Sequence, residues 1–296
     1  HYHQGVAISC IQHPISGREL KLSKSKSTEI SKKILVAGGG PGGMKAAAVA
    51  AEKGHQVILC EKAGQLGGQV LLAQMLPERR EFGVMIDNLK REMELCSVEV
   101  RLNTYVDKAM VDIEKPDDII ISTGAEPFQS DAEISKKTHV VEAWKVIQNN
   151  GGTGNSVVIA DWRCDYIGMG LAEMLAKNGC DVRLAVDGTH AGQNLQLYMR
   201  DNWIGRLDHL GVKVIPYARL FRADGNTAYF YHTAGGRPIL CESMDTLVLA
   251  QGHQPVTSLE NSLLGSNHRI HLVGDCLSPR SAEEAIYEGF MTAREV

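Results

Sequence analysis

Aromatic residues make up only 5% of this 296-residue chain, which argues against an aromatic-lined groove. No apolar run approaches the ~18 residues that a membrane span needs, and no signal-peptide pattern opens the chain, so no membrane partner is expected. Neither charge sign dominates: 31 Lys and Arg face 35 Asp and Glu, for a net charge of −4, which speaks against nucleic acid as the main partner. The seven cysteines (10, 60, 96, 164, 180, 241, 276) are scattered without a C-x-x-C pair, a pattern that suits reduced thiols in cytoplasm rather than a disulfide framework. Histidines are equally dispersed. His268 and His271 straddle a strand start and make a poor metal site, and His1 and His3, at the beginning of the sequence, carry no weight.

What is present is a concentrated signal over Lys33 to Glu61. Ile34, Leu35 and Val36 form a short apolar run suited to a strand buried on both faces. Gly38, Gly40 and Gly43 follow at the G-x-G-x-x-G spacing, with Pro41 and Gly42 between them. The first glycine permits the tight turn, the second lets a pyrophosphate approach the backbone, and the third lets a helix pack close on the strand. Met44 to Lys53 is rich in alanine and reads as that helix, its free N–H groups facing the anion. His55 to Cys60 is the next strand, and Glu61 lies eighteen positions past Gly43, where its carboxylate can accept hydrogen bonds from both ribose hydroxyls of an adenosine. Strand, turn, helix, strand and acid in this order point to an adenine dinucleotide. A glycine-rich turn in a nucleotide-free α/β protein is the plainer alternative.

The loop Lys62 to Gln69 (KAGQLGGQ) carries Gly67 and Gly68, which let the backbone crowd a cofactor, and Gln69, which can reach a flavin edge; it can also be a plain loop. Phe82, Met85, Ile86, Leu89 and Met93 mark a helix with a core-facing stripe, and Val98 to Val106 alternates as a strand. A buried strand, Asp118 to Thr123, ends at Thr123 and Gly124, suited to close backbone contact with a cofactor and an exit to another domain. Val157 to Val186 repeats the strand–turn–helix–strand plan, with its helix from about Gly168. Its turn, Asp161 to Gly168, lacks the glycine fingerprint: Trp162 and Tyr166 obstruct a pyrophosphate, Asp161 and Asp165 repel it, and Arg163 alone does not reverse this. The following strand ends in Asp187, unfavourable to a 2′-phosphate, so NAD(P)H is not expected there. Tyr198 to Leu210 reads as a helix; Val212 to Arg222, Thr227 to His232 and Ile239 to Glu242 read as strands. Thr246 to Gln251 echoes the earlier strand and is expected to return the chain to the first domain. A last strand ends at Gly274 and Asp275, and Ser281 caps a closing helix; Asp275 can hydrogen-bond a ribityl chain or merely assist the cap.

Together these pieces resemble the C-terminal part of the iron–sulfur flavoproteins related to trimethylamine dehydrogenase and 2,4-dienoyl-CoA reductase. The matching residues are Cys10-Ile11-Gln12-His13-Pro14 with Gly17-Arg18-Glu19, then VAGGGPGG, EKAGQLGGQ, ISTGAEP, VGDC and Ser278-Pro279-Arg280. The resemblance implies an α/β fold of two Rossmann-like, glutathione-reductase-type three-layer domains, the second inserted in the first. Residues 1–30 are then an extension and linker left from a cluster-binding segment, 31–127 plus 245–296 an FAD- or ADP-binding domain, and 128–244 a second, NAD(P)-type domain with a degenerate fingerprint. It also implies an N-terminal FMN-binding TIM barrel, in the same or a separate chain, which does the substrate chemistry. Cys10 becomes the fourth ligand of a [4Fe–4S] cluster whose other three cysteines this chain lacks, so no metal is expected on it here; an ordinary thiol is the alternative. FMN and the cluster belong to the full-length enzyme, which is expected to form a homo-oligomer and to serve an electron-transfer protein.

The resemblance places Asp161, Tyr166, Gly168, Gly170, Ala172 and Glu173 near members that demethylate N-methylated amino acids or betaines, and the loop GQLGGQ nearer the FAD-binding than the ADP-binding type. No residue reads as a catalyst; the chemistry belongs to the cofactor. Three readings stay open: the FAD- or ADP-binding electron-transfer portion of an amine demethylase, an NAD(P)H-dependent flavin or enoyl reductase portion, or a structural nucleotide-binding assembly module.

Overall fold

The computed structural model describes residues 8–22, 27–149 and 152–296, so His1, His3 and the linker lysines Lys24 and Lys26 lie outside the described residues. The chain divides into two compact units: residues 1–71, 81–126 and 254–296 form the first, and 72–80 with 127–253 the second.

The first unit is built on a five-stranded parallel sheet in the order Arg269–Leu272, Asp118–Ile121, Lys33–Ala37, Gln56–Cys60, Glu99–Arg101. Ile34 to Ala37 and Ile119 to Ile121 are buried throughout, as continuous apolar strands covered on both faces must be. The helix Pro41–Glu52 packs against the terminal helix Ala282–Glu295 so closely that a Cβ on Gly289 would lie 2.2 Å from the Gly42 carbonyl oxygen. The helix Glu81–Leu95 buries Met85, Ile86, Leu89 and Met93, the stripe read from their spacing. Of the expected strand over 98–106 only Glu99–Arg101 pairs; Asn103 turns into the left-handed region and donates its N–H to the Ala63 carbonyl, because the loop after Glu61 offers those hydrogen bonds instead.

Residues 8–22 pack on this unit. Ile11 and Ile15 join its core, Ser9 Oγ donates to Glu283 Oε1, and Arg18 lies over the Tyr287 ring. Lys32 and Lys33, at the start of the first strand, are held by acids of this unit: Lys32 Nζ by Asp118 Oδ2 and Lys33 Nζ by Glu114 Oε2.

The second unit carries a parallel sheet in the order Lys213–Ile215, Asp181–Val186, Ser156–Asp161, Thr246–Ala250, Val140–Glu142. A four-stranded sheet, Pro238–Cys241, Thr227–His232, Ala218–Asp224 and Glu133–Ile134, accompanies it. Two expectations change here. The stretch read as one strand over 212–222 breaks at Tyr217, whose positive φ of 56° turns the chain from the parallel sheet into the other one. The strand Thr246–Ala250, expected to re-enter the first domain, lies between Ser156–Asp161 and Val140–Glu142, so the return comes at residue 254 rather than 245. Residues 72–80 also belong to this unit: Leu76 is buried beside Gly170, Arg79 stacks over the Tyr166 ring, and Glu78 pairs with Arg206.

Candidate functional site

The strand Lys33–Ala37 runs into a turn whose glycines have three different reasons to be glycine. Gly38 has φ +112°, and a Cβ there would lie 2.1 Å from the Ser122 carbonyl oxygen. A Cβ on Gly43 would lie 2.1 Å from the Gly38 carbonyl oxygen, so this position lets the helix sit on the turn. Gly40 differs: a Cβ there would meet nothing within 4 Å. Its bareness keeps a space open outside the chain. Gly40 is also the N-cap of the helix Pro41–Glu52 and supplies no side-chain cap, Pro41 has no N–H to satisfy, and no acidic residue stands in the first turn. The partial positive charge of this helix end is unanswered by the protein, which is the condition for holding a phosphate.

Glu61 ends the next strand and is 8% exposed. Its Oε2 accepts the Gly39 N–H at 2.7 Å and its Oε1 the Ala63 N–H at 2.8 Å. The carboxylate therefore braces the glycine turn, with lone pairs left over for a ligand. Lys62 is exposed, and the loop beyond it folds back: the Gly67 N–H donates to the Gly39 carbonyl at 2.8 Å, and Gly68, at φ +53°, comes so close that a Cβ would lie 3.1 Å from the Gly40 Cα. Gln69 then donates from Nε2 to Asp275 Oδ2 at 2.8 Å.

Asp275 also accepts the Arg280 N–H at Oδ1. The cap of the closing helix belongs to Ser281, in a reciprocal arrangement with Glu284, so capping that helix does not account for Asp275. Thr123 Oγ1 donates to the Val256 carbonyl and the Gly124 carbonyl accepts the Val256 N–H, which ties the outgoing and returning chains side by side. The predicted residues Gly38, Gly40, Pro41, Gly42, Gly43, Glu61, Gly67, Gly68, Gln69, Gly274 and Asp275 are thus joined by backbone or side-chain contacts around one turn.

Two contributors were not singled out from the sequence. Ser122 supplies the carbonyl against which Gly38 packs, and Glu288 accepts the Gly274 N–H through Oε2 while its other oxygen pairs with Arg280. A glutamate four residues past the acidic first turn of a helix gives no sequence signal of its own.

Cys10 is exposed, and among the described residues no group of three or more His, Cys, Asp or Glu could hold a metal. Burial pushes the Cys60 and Cys276 thiols up, and Cys164 to about 11, so these three are poor nucleophiles.

The corresponding turn of the second unit is filled by its own acids. Asp165 caps the helix Tyr166–Lys177, accepting the Ile167 N–H at 3.0 Å, and Asp161 Oδ1 accepts the Cys164 N–H at 2.9 Å. Gly168 stands at the third helical position, as Gly43 does in the first unit, but a Cβ on it would meet the Asp161 carboxyl at 2.2 Å rather than a backbone carbonyl. Asp161 is 2% exposed, and burial, with Asp165 nearby, pushes its carboxyl up to about 8. An anion has no open cradle here, so the residues do not fit a pyridine nucleotide.

Residues 32–289 match the family described as pyridine nucleotide-disulphide oxidoreductase. The chain belongs to this family. N,N-dimethylglycine/sarcosine dehydrogenase of Chromohalobacter salexigens is 35% identical over 199 residues, covering 64% of this chain and 29% of that protein. Bilirubin reductase of Mediterraneibacter gnavus is 30% identical over 288 residues, covering 97% of this chain and 44% of that protein. The chain thus spans less than half the length of these curated relatives. Histamine dehydrogenase from Rhizobium sp. 4-9 superposes with a TM-score of 0.90 at 21% identity, over 97% of this chain and 48% of its own, which establishes the shared fold. The resemblance to the C-terminal part of the trimethylamine dehydrogenase and 2,4-dienoyl-CoA reductase family holds, and the chain is an oxidoreductase-family domain related to demethylating and amine dehydrogenases. No helix among the described residues is long and apolar enough to cross a membrane.

Proposed function

We propose that this chain is the FAD-binding, electron-transferring portion of an oxidoreductase that oxidatively demethylates small N-methylated amines, the substrate chemistry lying on an FMN-binding TIM barrel. The observation that carries the reading is the contrast between the two turns: Gly40 faces open space at an uncapped helix end, whereas Asp161 and Asp165 fill the equivalent turn of the second unit. One dinucleotide is accommodated and the other refused. Electrons then arrive from an oxidised substrate rather than from NAD(P)H, the direction of a dehydrogenase. The likeness to N,N-dimethylglycine/sarcosine dehydrogenase supports N-methylated amines as the substrate class.

In this reading the Gly40 to Gly43 backbone holds the diphosphate and Glu61 the adenosine ribose, while Gln69, Thr123, Gly124, Gly274 and Asp275 line the flavin side. Bound FAD supplies reversible uptake of electrons; the chain's own groups orient it and exclude water. The domain limits, a first domain on either side of an inserted second, are part of the same proposal, as are the [4Fe–4S] cluster and FMN of a full-length enzyme.

The likeness of bilirubin reductase over nearly the whole chain favours a second reading, a reductase portion fed by NAD(P)H. An absorption spectrum of the purified chain, mass spectrometry of the released ligand and anaerobic addition of NADH and NADPH separate the two. Yellow protein that releases FAD and is not bleached supports the demethylase portion. Bleaching selects the reductase, and colourless protein that releases ADP removes FAD from the assignment.

A further inference from the structure

The second unit, closed to a dinucleotide, nevertheless keeps a cleft of about 200 Å³ at the carboxyl end of its parallel sheet. The cleft opens where Ser156–Asp161 and Thr246–Ala250 lie side by side although far apart in sequence, the switch point at which open α/β sheets bind ligands. Its volume falls below the roughly 300–1,000 Å³ of sites for drug-sized molecules, so its occupant is small.

The walls carry both signs of charge. Arg219 lies over the Trp162 ring at 4.7 Å and its Nη2 stands 3.2 Å from Asp187 Oδ2. A guanidinium has five N–H donors in a planar fork, and this pairing, together with a hydrogen bond to Tyr231 on the same cleft, still leaves donors over. Asp131, on the same cleft, adds a second carboxylate whose charge acts on Arg219. Gln251 and Asp161 also line it, and Gln251 Oε1 and Asp161 Oδ2 are buried with no hydrogen-bond partner, a state that a bound polar molecule relieves. A simple anion would face Asp131 and Asp187, and a simple cation would face Arg219. A molecule with both charges meets neither objection.

We propose that this cleft binds a zwitterion of amino-acid size, its carboxylate on Arg219 and its ammonium on Asp131 and Asp187, with its carbon skeleton against Trp162. The site is independent of the dinucleotide turn in the first unit.

Calorimetric titration of the full chain with N,N-dimethylglycine tests this, with acetate and choline as single-charge probes and NADH as a competitor. Saturable binding of N,N-dimethylglycine is expected, with none for acetate, choline or NADH, and Arg219→Gln and Asp187→Asn should each weaken it tenfold or more. If Arg219→Gln does not fold, Arg219→Lys, which keeps the charge but loses the fork, should still weaken binding. Absence of saturable binding up to the solubility limit overturns the proposal. So does undiminished binding by whichever Arg219 variant folds, or equal binding of acetate, choline or NADH.

Discussion

Gln69 and Asp275, 206 positions apart, meet through a 2.8 Å hydrogen bond from Nε2 to Oδ2. The bond joins the loop after the second strand to the turn after the last one, and Asp275 holds the second of these as well by accepting the Arg280 N–H. Asp275→Ala removes both acceptors at once. Hydrogen bonds to a charged group are worth about 1.5–3 kcal/mol, so FAD affinity is expected to fall at least tenfold, read by flavin fluorescence titration.

The glycine turn separates a binding effect from a folding one. Gly40→Val places its side chain where nothing stands within 4 Å, at a backbone φ of −73° that any residue adopts. It should leave the melting temperature of the ligand-free chain nearly unchanged and abolish FAD retention. Gly43→Ala forces a methyl to within 2.1 Å of a backbone carbonyl and should lower that melting temperature itself, by several degrees. Equal effects of the two variants on the ligand-free melt would remove the distinction.

That turn was legible in the sequence because glycine spacing, apolar runs and a following acid are all local signals. The parallel sheet of the first unit followed from the same signals, since Ile34 to Val36 and Ile119 to Ile121 are apolar without alternation. The sequence does not place Thr246–Ala250, for a physical reason: an apolar strand followed closely by glycine looks the same in either sheet, and only its partners across the ladder decide. Position alone marks Glu61 as a candidate ribose ligand, yet its bonds to Gly39 and Ala63 leave no trace in the sequence, because which backbone N–H a carboxylate meets depends on how the loop closes. The filled second turn, by contrast, was visible in the residue types themselves, two aspartates and a tryptophan where a phosphate needs bare backbone.

Asp161 gives that filled turn a pH dependence. Its carboxyl is raised to about 8 by burial from the ordinary aspartate value of 3.8, so between those values the folded chain holds a proton that the unfolded chain has lost. Stability from this group is therefore full below pH 4 and lost as pH rises through 8. Asp161→Asn keeps an acceptor for the Cys164 N–H and cannot ionise. Urea unfolding at pH 5 and pH 8 should show the variant gaining on the parent at the higher pH; parallel curves at both values would mean that Asp161 is ionised in the folded protein.

Glu288 reaches the turn at Gly274 from the closing helix. Its Oε2 accepts the Gly274 N–H at 2.8 Å, and Oε1 pairs with the Arg280 guanidinium, whose own backbone N–H holds Asp275. Glu288→Gln keeps an acceptor for Gly274 but gives up the ion pair; Glu288→Ala gives up both. If the carboxylate positions the turn for the flavin, FAD affinity should fall in the order parent, Gln, Ala, with the Ala variant weakened at least tenfold and its flavin absorption bands displaced. A purely structural glutamate would lower the melting temperature of the ligand-free Ala variant and leave the flavin spectrum and affinity of its folded fraction unchanged. Gln is the more telling of the two, because it retains the shape and the Gly274 bond while removing only the charge that meets Arg280. A Gln variant indistinguishable from the parent in FAD affinity would assign the work to the Gly274 bond alone.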